Sequence, residues 1–165
     1  MRDTLRGEVW RAMLDADMNC RYWRNMSKRY VSRDKRAKIT LAIISSGTVA
    51  GWTIWKQVPI VWEAVSVISA VVAIVLPILN FQKIVDVSSM LYGKWSELLR
   101  EYESYWISIE NGESVDVIRA NWSKTRAKET PIMQEEVKIP EDQDLLRQCQ
   151  GEVLKFHRLL KEDQR

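Results

Sequence analysis

The side chains best suited to catalysis or metal binding in this sequence are two cysteines and one histidine. Cys20 and Cys149 show no metal-ligand spacing, and neither has a base close to it in the sequence. His157 stands among basic residues near the C-terminus, which is typical of a solvated side chain. The sequence also contains no glycine-rich phosphate loop. We therefore expect no catalytic residue, no metal site and no cofactor, and we do not expect an enzyme.

A basic and aromatic stretch is the best candidate for a ligand site. Between residues 21 and 38, eight lysines and arginines alternate with two tyrosines and a tryptophan. Cationic side chains bind phosphates, and aromatic rings stack on bases. Topology and anionic lipid would explain the same cations equally well. The residues that we assign to an anionic ligand are Arg21, Tyr22, Arg24, Lys28 and Arg29.

The helices that position these residues can be predicted from the uneven distribution of charge along the sequence. Residues 39–82 contain only Lys56 and Glu63 as charged side chains, whereas the flanking segments carry the other 45. Two uncharged runs of 17 and 19 residues lie within this segment, close to the ~20 residues that a membrane span needs. We predict a transmembrane helical hairpin over 39–82, with spans at 39–55 and 60–82.

The flanks of the hairpin predict its orientation. Trp52, Trp55 and Trp62 surround the tip, where indole rings favour the headgroup level. Six lysines and arginines between residues 28 and 38 precede the first span, so the positive-inside rule keeps both termini cytoplasmic. We expect a multi-pass protein of the inner (cytoplasmic) membrane. The alternative is a soluble bundle with a fully buried hairpin, which a chain of this length rarely encloses.

Outside the hairpin, the hydrophobic periodicity predicts long helices. Residues 1–38 form a basic cytoplasmic helix with a weak apolar stripe through Val9 and Trp23, and residues 83–165 form cytoplasmic amphipathic, coiled-coil-like helices. Within the second segment, Asn111-Gly112 supplies a left-handed stop, and a polar linker with Pro131 and Pro140 precedes the last helix. The predicted fold is an all-α membrane protein with a two-span hairpin and long N- and C-terminal helices. The second long helix carries an apolar seam, which either the same chain or copies in a homo-oligomer can cover: Leu91, Trp95, Leu98, Tyr102 and Tyr105.

Small residues mark one face of the predicted spans. The first span contains a GxxxG motif, a spacing that lets helix backbones approach closely in lipid. In the second span, small or polar residues recur on one side at helical spacing, opposite bulky aliphatic residues. This face either packs in a tight hairpin or lines an oligomeric pore. Its members are Gly47, Gly51, Ser66, Ser69, Ala70, Ala73 and Pro77.

Two groups of residues carry a resemblance to a known family. The basic helix contains Asp17-Met18-Asn19-Cys20-Arg21-Tyr22-Trp23 and Lys28-Arg29-Tyr30, and the later helix contains Leu91-Tyr92 and Trp95-Ser96-Glu97-Leu98-Leu99. This arrangement around a two-span hairpin resembles the SLATT proteins, which are two-transmembrane effectors associated with nucleotide-synthesising and nucleotide-sensing systems in bacterial defence. The resemblance covers about residues 8–110.

The resemblance implies an oligomeric, pore-forming membrane effector of antiphage defence, acting as an ion channel. It further implies control by a nucleotide or oligonucleotide second messenger, with a co-encoded nucleotidyltransferase as a possible partner besides membrane lipid. The alternative function is a non-conducting membrane anchor or adaptor that recruits a cytoplasmic partner. Its docking surface would be the face of Trp95, Tyr102 and Tyr105.

Overall fold

In the part that its computed structural model describes, namely residues 2–50, 67–68, 70–71 and 81–162, the chain is helical apart from short connections at 111–114, 128 and 137–142. This confirms the all-α class for those ranges. Five helices have defined bounds: α1 (Arg2–Ala50), α2 (Phe81–Glu110), α3 (Val115–Ala127), α4 (Glu129–Glu136) and α5 (Gln143–Glu162).

The chain divides into two compact units. The bundle unit comprises Met1–Ser27 and Asp86–Arg165, and the second unit comprises Lys28–Val85. The predicted division into segments 1–38, 39–82 and 83–165 stays a prediction, because much of the middle segment lies outside the described residues.

Within the bundle unit, α1 and α2 run antiparallel. The carboxylate of Glu110 pairs with Arg6 at 2.8 Å, and Ser96 Oγ lies 3.5 Å from Cys20 Sγ. The hydroxyl groups of Ser27 and Ser89 are 3.0 Å apart. From one pair to the next, the partner on α2 moves back by as many residues as α1 advances. The two helices therefore keep one register along this length.

The next two helices return along α2 in the opposite direction. The hydroxyl groups of Tyr105 and Thr125 lie 2.9 Å apart, and Lys128 Nζ is 2.5 Å from Glu101 Oε1. Helix α5 then runs antiparallel to α1, because Asn25 Nδ2 donates to Cys149 Sγ at 3.7 Å while the later His157 lies against the earlier Asp17, with Nε2 3.3 Å from Oδ2. Helices α1 and α2, the α3–α4 pair and α5 thus form an up-and-down bundle.

The core of the bundle unit is built from the stripes that the sequence predicts. On α1 and α2, apolar residues recur every three or four positions, which places them on one side of each helix. The buried members of α1 are Leu5, Val9, Ala12, Met13, Ala16, Cys20, Tyr22, Trp23 and Met26. From the later helices the core receives Leu91, Trp95, Leu98, Tyr102, Ile109, Ile118, Trp122, Ile132, Leu145, Cys149 and Val153.

Helix α2 ends where the sequence predicts a left-handed stop. Gly112 has a φ of 85°, a conformation that glycine adopts without a Cβ clash. Its N–H bonds to the carbonyl of Ile109 at 3.2 Å, and the N–H of Glu113 bonds to that of Ser108 at 3.1 Å. These two bonds form a Schellman motif, which satisfies the last carbonyl groups of the helix. The prediction at Asn111-Gly112 is confirmed.

The polar linker that the sequence predicts around Pro131 is instead helical. Helix α4 begins at Glu129, so Pro131 lies in its first turn. The N–H that proline lacks would have no partner within the helix at that position, and its fixed φ suits the helix. A proline is therefore compatible with this short helix, in which Ile132 is buried.

The predicted membrane topology requires correction. Most of the hairpin at 39–82 lies outside the described residues, including 51–66, 69 and 72–80. Among the helices of the described part, none is both long enough and apolar enough to cross a membrane. The prediction of a multi-pass inner-membrane protein is overturned by that finding. The physical reason is that the length and apolarity of a run indicate that it avoids water, but do not establish a membrane span.

Candidate functional site

The basic segment, residues 28–38 of α1, is the most highly charged surface of the second unit. Its eleven residues contain six lysines and arginines against a single aspartate, Asp34, for a net charge of +5. The exposed cations are Lys28, Arg33, Lys35, Arg36 and Lys38, and Arg29 is half-buried. So dense a cluster of positive charge raises the local concentration of anions.

Helical geometry sorts these cations into two neighbouring stripes. Arg29, Arg33 and Arg36 fall at positions i, i+4 and i+7, which share one face of a helix. At a rise of about 1.5 Å per residue, they follow each other at intervals of about 6 and 4.5 Å along the axis. Lys28 and Lys35 begin a second stripe beside the first. The surface therefore presents a row of guanidinium groups beside a row of ammonium groups.

Contacts inside the segment fix two of these side chains. The guanidinium carbon of Arg33 lies 5.2 Å from the ring centroid of Tyr30. The Tyr30 ring is in turn 6.0 Å from that of Phe81. Lys38 Nζ pairs with Asp34 Oδ2 at 2.6 Å, in an i, i+4 arrangement that offsets one of the six positive charges. The remaining surface is strongly cationic and can contact several phosphate groups at once.

The residues assigned to an anionic ligand have different surroundings in the structure. Both oxygens of Asp17 accept hydrogen bonds from Arg21, at 2.9 and 3.2 Å, and these bonds raise the pKa of the guanidinium. The ring of Tyr22 is buried, and its hydroxyl oxygen accepts the N–H of Asp142 at 2.9 Å. Arg24 is exposed. These contacts give Arg21 and Tyr22 a structural role within the bundle unit.

The other two members of that set lie in the second unit, where Lys28 and Arg29 belong to the basic segment. The five residues are thus divided between the units. Anion binding by the whole set stays a prediction, whereas the basic segment has the exposure that such binding needs. The burial of the aromatic residues Tyr22 and Trp23 in the bundle unit could not be inferred from charge and spacing alone.

The small-residue face of the predicted spans lies almost wholly outside the described residues. This applies to Gly51, Ser66, Ser69, Ala73 and Pro77. Gly47 belongs to α1, and Ala70 is exposed in a helical segment. The role assigned to this face stays a prediction.

The predicted seam is covered by helices of its own chain. Leu91, Leu98, Trp95 and Tyr102 are buried, the last two with 4% and 0% of their surface exposed, and Tyr105 is half-buried. Since their surface is already buried within the chain, Trp95 and Tyr102 cannot form the docking surface that the adaptor hypothesis requires. Homo-oligomer formation stays a prediction, but the seam does not need a neighbouring copy to be buried.

A cluster that sequence reasoning missed lies at the end of α4. Glu136 Oε1 accepts the indole N–H of Trp23 at 2.9 Å and that of Trp95 at 2.6 Å. One carboxylate oxygen thus satisfies two largely buried donors from α1 and α2. The only signal in the sequence was indirect, because a tryptophan buried in a stripe needs an acceptor for its N–H. Periodicity could not identify an acceptor 113 residues away from Trp23.

The side chains with nucleophilic or acid–base chemistry are packed inside the bundle unit. His157 is only 13% exposed, with Nε2 at 3.3 Å from Asp17 Oδ2, so the prediction of a solvated histidine is wrong. Its ring packs edge-on against Trp10, with centroids 5.2 Å apart. Cys20 and Cys149 are buried and are not joined in a disulfide, and burial raises the pKa of the Cys20 thiol. A buried thiol with a raised pKa is a poor nucleophile.

Comparisons with known proteins correct the resemblance drawn from the sequence. The model of the PhoPQ-activated pathogenicity-related protein family matches residues 17–118, which is more than half of the chain. No curated protein and no solved structure gives a significant match. The assignment to the SLATT proteins is therefore wrong, and the descriptions as a transmembrane pore, an ion channel and an antiviral effector are withdrawn with it. The chain belongs to the PhoPQ-activated pathogenicity-related protein family.

Proposed function

We propose that this chain is a non-enzymatic binding protein that holds an oligonucleotide on the basic segment at residues 28–38. One observation carries the proposal: six cations stand within eleven residues of a helix, and five of them are exposed. The description of the family names neither a ligand nor a reaction, so the proposal rests on the chemistry of the segment.

The arginine stripe supports an oligonucleotide over a single small anion. Guanidinium groups spaced along a helix contact successive phosphates, and each contact releases counterions from the nucleic acid. Arg33 also lies against Tyr30, so its planar group is already ordered on a ring. Planar guanidinium groups and aromatic rings stack on unpaired bases, which favours a single strand.

Catalysis is not part of the proposed function. The thiols described above are buried, and the imidazole is largely covered by helix contacts. A membrane pore is not carried forward either, because no described helix is suited to cross a membrane.

The proposal can be tested by the fluorescence anisotropy of a labelled single strand of about twelve nucleotides, a length in the range that such proteins cover. The test variant is Arg33→Gln/Lys35→Gln/Arg36→Gln in the full chain. The control, Lys124→Gln/Lys155→Gln/Arg158→Gln, removes the same charge from exposed positions of the bundle unit. We expect the test variant to bind about tenfold or more weakly at low salt. Equal losses in both variants would show non-specific attraction to net charge and overturn the proposal.

A second arm distinguishes the oligonucleotide from a lipid surface of the same charge. Vesicles of phosphatidylcholine with phosphatidylglycerol are mixed with wild type and test variant, and the bound protein is measured by sedimentation. If the vesicles bind through the basic segment while the oligonucleotide does not, the ligand is anionic lipid and the proposed function is wrong.

A further inference from the structure

The bundle unit contains a pocket of about 240 Å³ between α1, the end of α4 and the start of α5. Its wall combines two carboxylates, two aromatic rings, an amide and three aliphatic side chains. The lining residues are Asn19, Tyr22, Trp23, Glu136, Val137, Ile139, Glu141 and Leu146. None of these lining residues is a lysine or an arginine.

The carboxylate of Glu136 is held in place without being neutralised. Its two hydrogen-bond donors, Trp23 and Trp95, are uncharged indole groups. No lysine or arginine of the described ranges forms an ion pair with Glu136, or with the second lining carboxylate, Glu141. The neighbouring Glu135 differs, since Lys138 Nζ lies 2.8 Å from its carboxylate. The pocket thus has negative charge fixed at its wall and available to a ligand.

The aromatic part of the wall suits a positive charge. The rings of Tyr22 and Trp23 meet edge to face, with centroids 4.8 Å apart and planes at 80°. Their π faces attract cations, most strongly where water is excluded. Val137, Ile139 and Leu146 supply apolar surface for methyl or methylene groups. The lining residues therefore combine groups that suit the charge of a cation with groups that suit its apolar shell.

We propose that this pocket binds a small organic ammonium compound, with its positive charge near Glu136 and Glu141 and its alkyl groups against the aromatic and aliphatic wall. The volume lies below the roughly 300–1,000 Å³ of sites for drug-sized ligands, so the compound is small. This binding site is independent of the proposed function, because it lies in the other unit and attracts the opposite charge.

The test compares choline with 3,3-dimethylbutan-1-ol, its uncharged isostere, in NMR titrations of the full-length protein. Choline should bind about tenfold more tightly than the alcohol. Glu136→Gln keeps an acceptor for the indole groups while removing the charge, and it should weaken choline binding about tenfold. Glu135→Gln removes the adjacent charge outside the pocket and should leave binding unchanged. Equal binding of the two compounds, or equal effects of the two variants, would overturn the proposal.

A second pair of variants keeps the proposal testable if Glu136→Gln does not fold. Val137 is 86% exposed at the pocket, so Val137→Lys should be tolerated and should place a competing cation beside the carboxylates. Met133 is 55% exposed on α4, four residues before Val137, and does not line the pocket. We expect Val137→Lys to abolish choline binding and Met133→Lys to retain it. Unchanged binding in Val137→Lys would place the ligand elsewhere and contradict the assignment.

Discussion

The indole N–H of Trp95 donates a 2.6 Å hydrogen bond to the carboxylate of Glu136, and this bond joins the middle of α2 to the end of α4. The same oxygen accepts the N–H of Trp23 from α1. A single side chain on an eight-residue helix thereby connects three parts of the bundle unit. Its contribution to stability comes mainly from satisfying two donors that the core would otherwise leave unpaired.

Replacing Glu136 tests this role directly. Glu136→Leu removes the acceptor and leaves both indole N–H groups unpaired, so we expect the free energy of unfolding to fall by about 2–4 kcal/mol. Glu136→Gln retains an acceptor oxygen and should cost less than about 1 kcal/mol. Urea denaturation followed by circular dichroism measures both values. If the two substitutions cost the same, the hydrogen bonds do not stabilise the bundle in the way described.

The buried hydroxyl of Tyr102 should affect stability at high pH. It donates to the carboxylate of Glu129, and burial together with this carboxylate raises the pKa of Tyr102 well above its ordinary value of 10.0. A raised pKa in the folded state contributes stability below pH ~10, and that contribution is lost as the pH rises further. In Tyr102→Phe, the unfolding free energy should fall less steeply between pH 9 and pH 11 than in wild type.

A matched control for this change is Tyr92→Phe, since Tyr92 is an exposed tyrosine on the same helix. Urea denaturation at each pH gives the unfolding free energies. We expect Tyr92→Phe to follow the wild-type profile. If the unfolding free energy of Tyr102→Phe falls with pH as steeply as that of wild type, ionisation of the Tyr102 hydroxyl does not destabilise the fold.

The ionised carboxylate of Glu101 should stabilise the fold at neutral pH, and this contribution should be lost in acid. Its carboxylate accepts bonds from Lys128 at 2.5 Å and Thr125 at 2.9 Å, and these partners, Lys128 first, lower its pKa below the ordinary 4.5. A lowered pKa stabilises the fold above pH ~4.5, and this stabilisation is lost as the pH falls through the folded-state value. Glu101→Gln should therefore be less stable than wild type at neutral pH, by up to about 1 kcal/mol, and nearly equal to it near pH 3.

The control at the acid side is Glu103→Gln, because Glu103 is exposed on the same helix. At neutral pH, the urea midpoint of Glu103→Gln should differ from wild type by less than that of Glu101→Gln does. A gap between wild type and Glu101→Gln that persists unchanged at pH 3 would contradict the assignment of the effect to the ionised carboxylate.

The sequence predicts the local parts of this fold and misses the contacts between them. The stripe through Val9 and Trp23, the α2 seam and the stop at Gly112 all follow from helical spacing and backbone preference, which are local properties. The roles of Glu136 and His157 were not visible, because Glu136 accepts from Trp23 and His157 lies against Asp17, each more than a hundred residues away along the chain.

The same reasoning explains the error about the membrane and the unforeseen surroundings of the residues assigned to a ligand. An apolar run shows that a segment avoids water, and the membrane was inferred from that preference together with a resemblance that the family match contradicts. Within the basic stretch, charge alone could not show that Arg21 is paired and that Tyr22 is buried, whereas residues 28–38 expose most of their cations.

The central claim, that the basic segment contacts the phosphates of an oligonucleotide, is tested most directly by the salt dependence of binding. For a single strand, the logarithm of the association constant falls with the logarithm of salt concentration by about 0.7 for each phosphate contacted. Arg33→Gln/Lys35→Gln/Arg36→Gln should therefore reduce this slope by about 2 relative to wild type. The charge-matched variant of Lys124, Lys155 and Arg158 should keep the wild-type slope. Identical slopes in wild type and the basic-segment variant would contradict the claim.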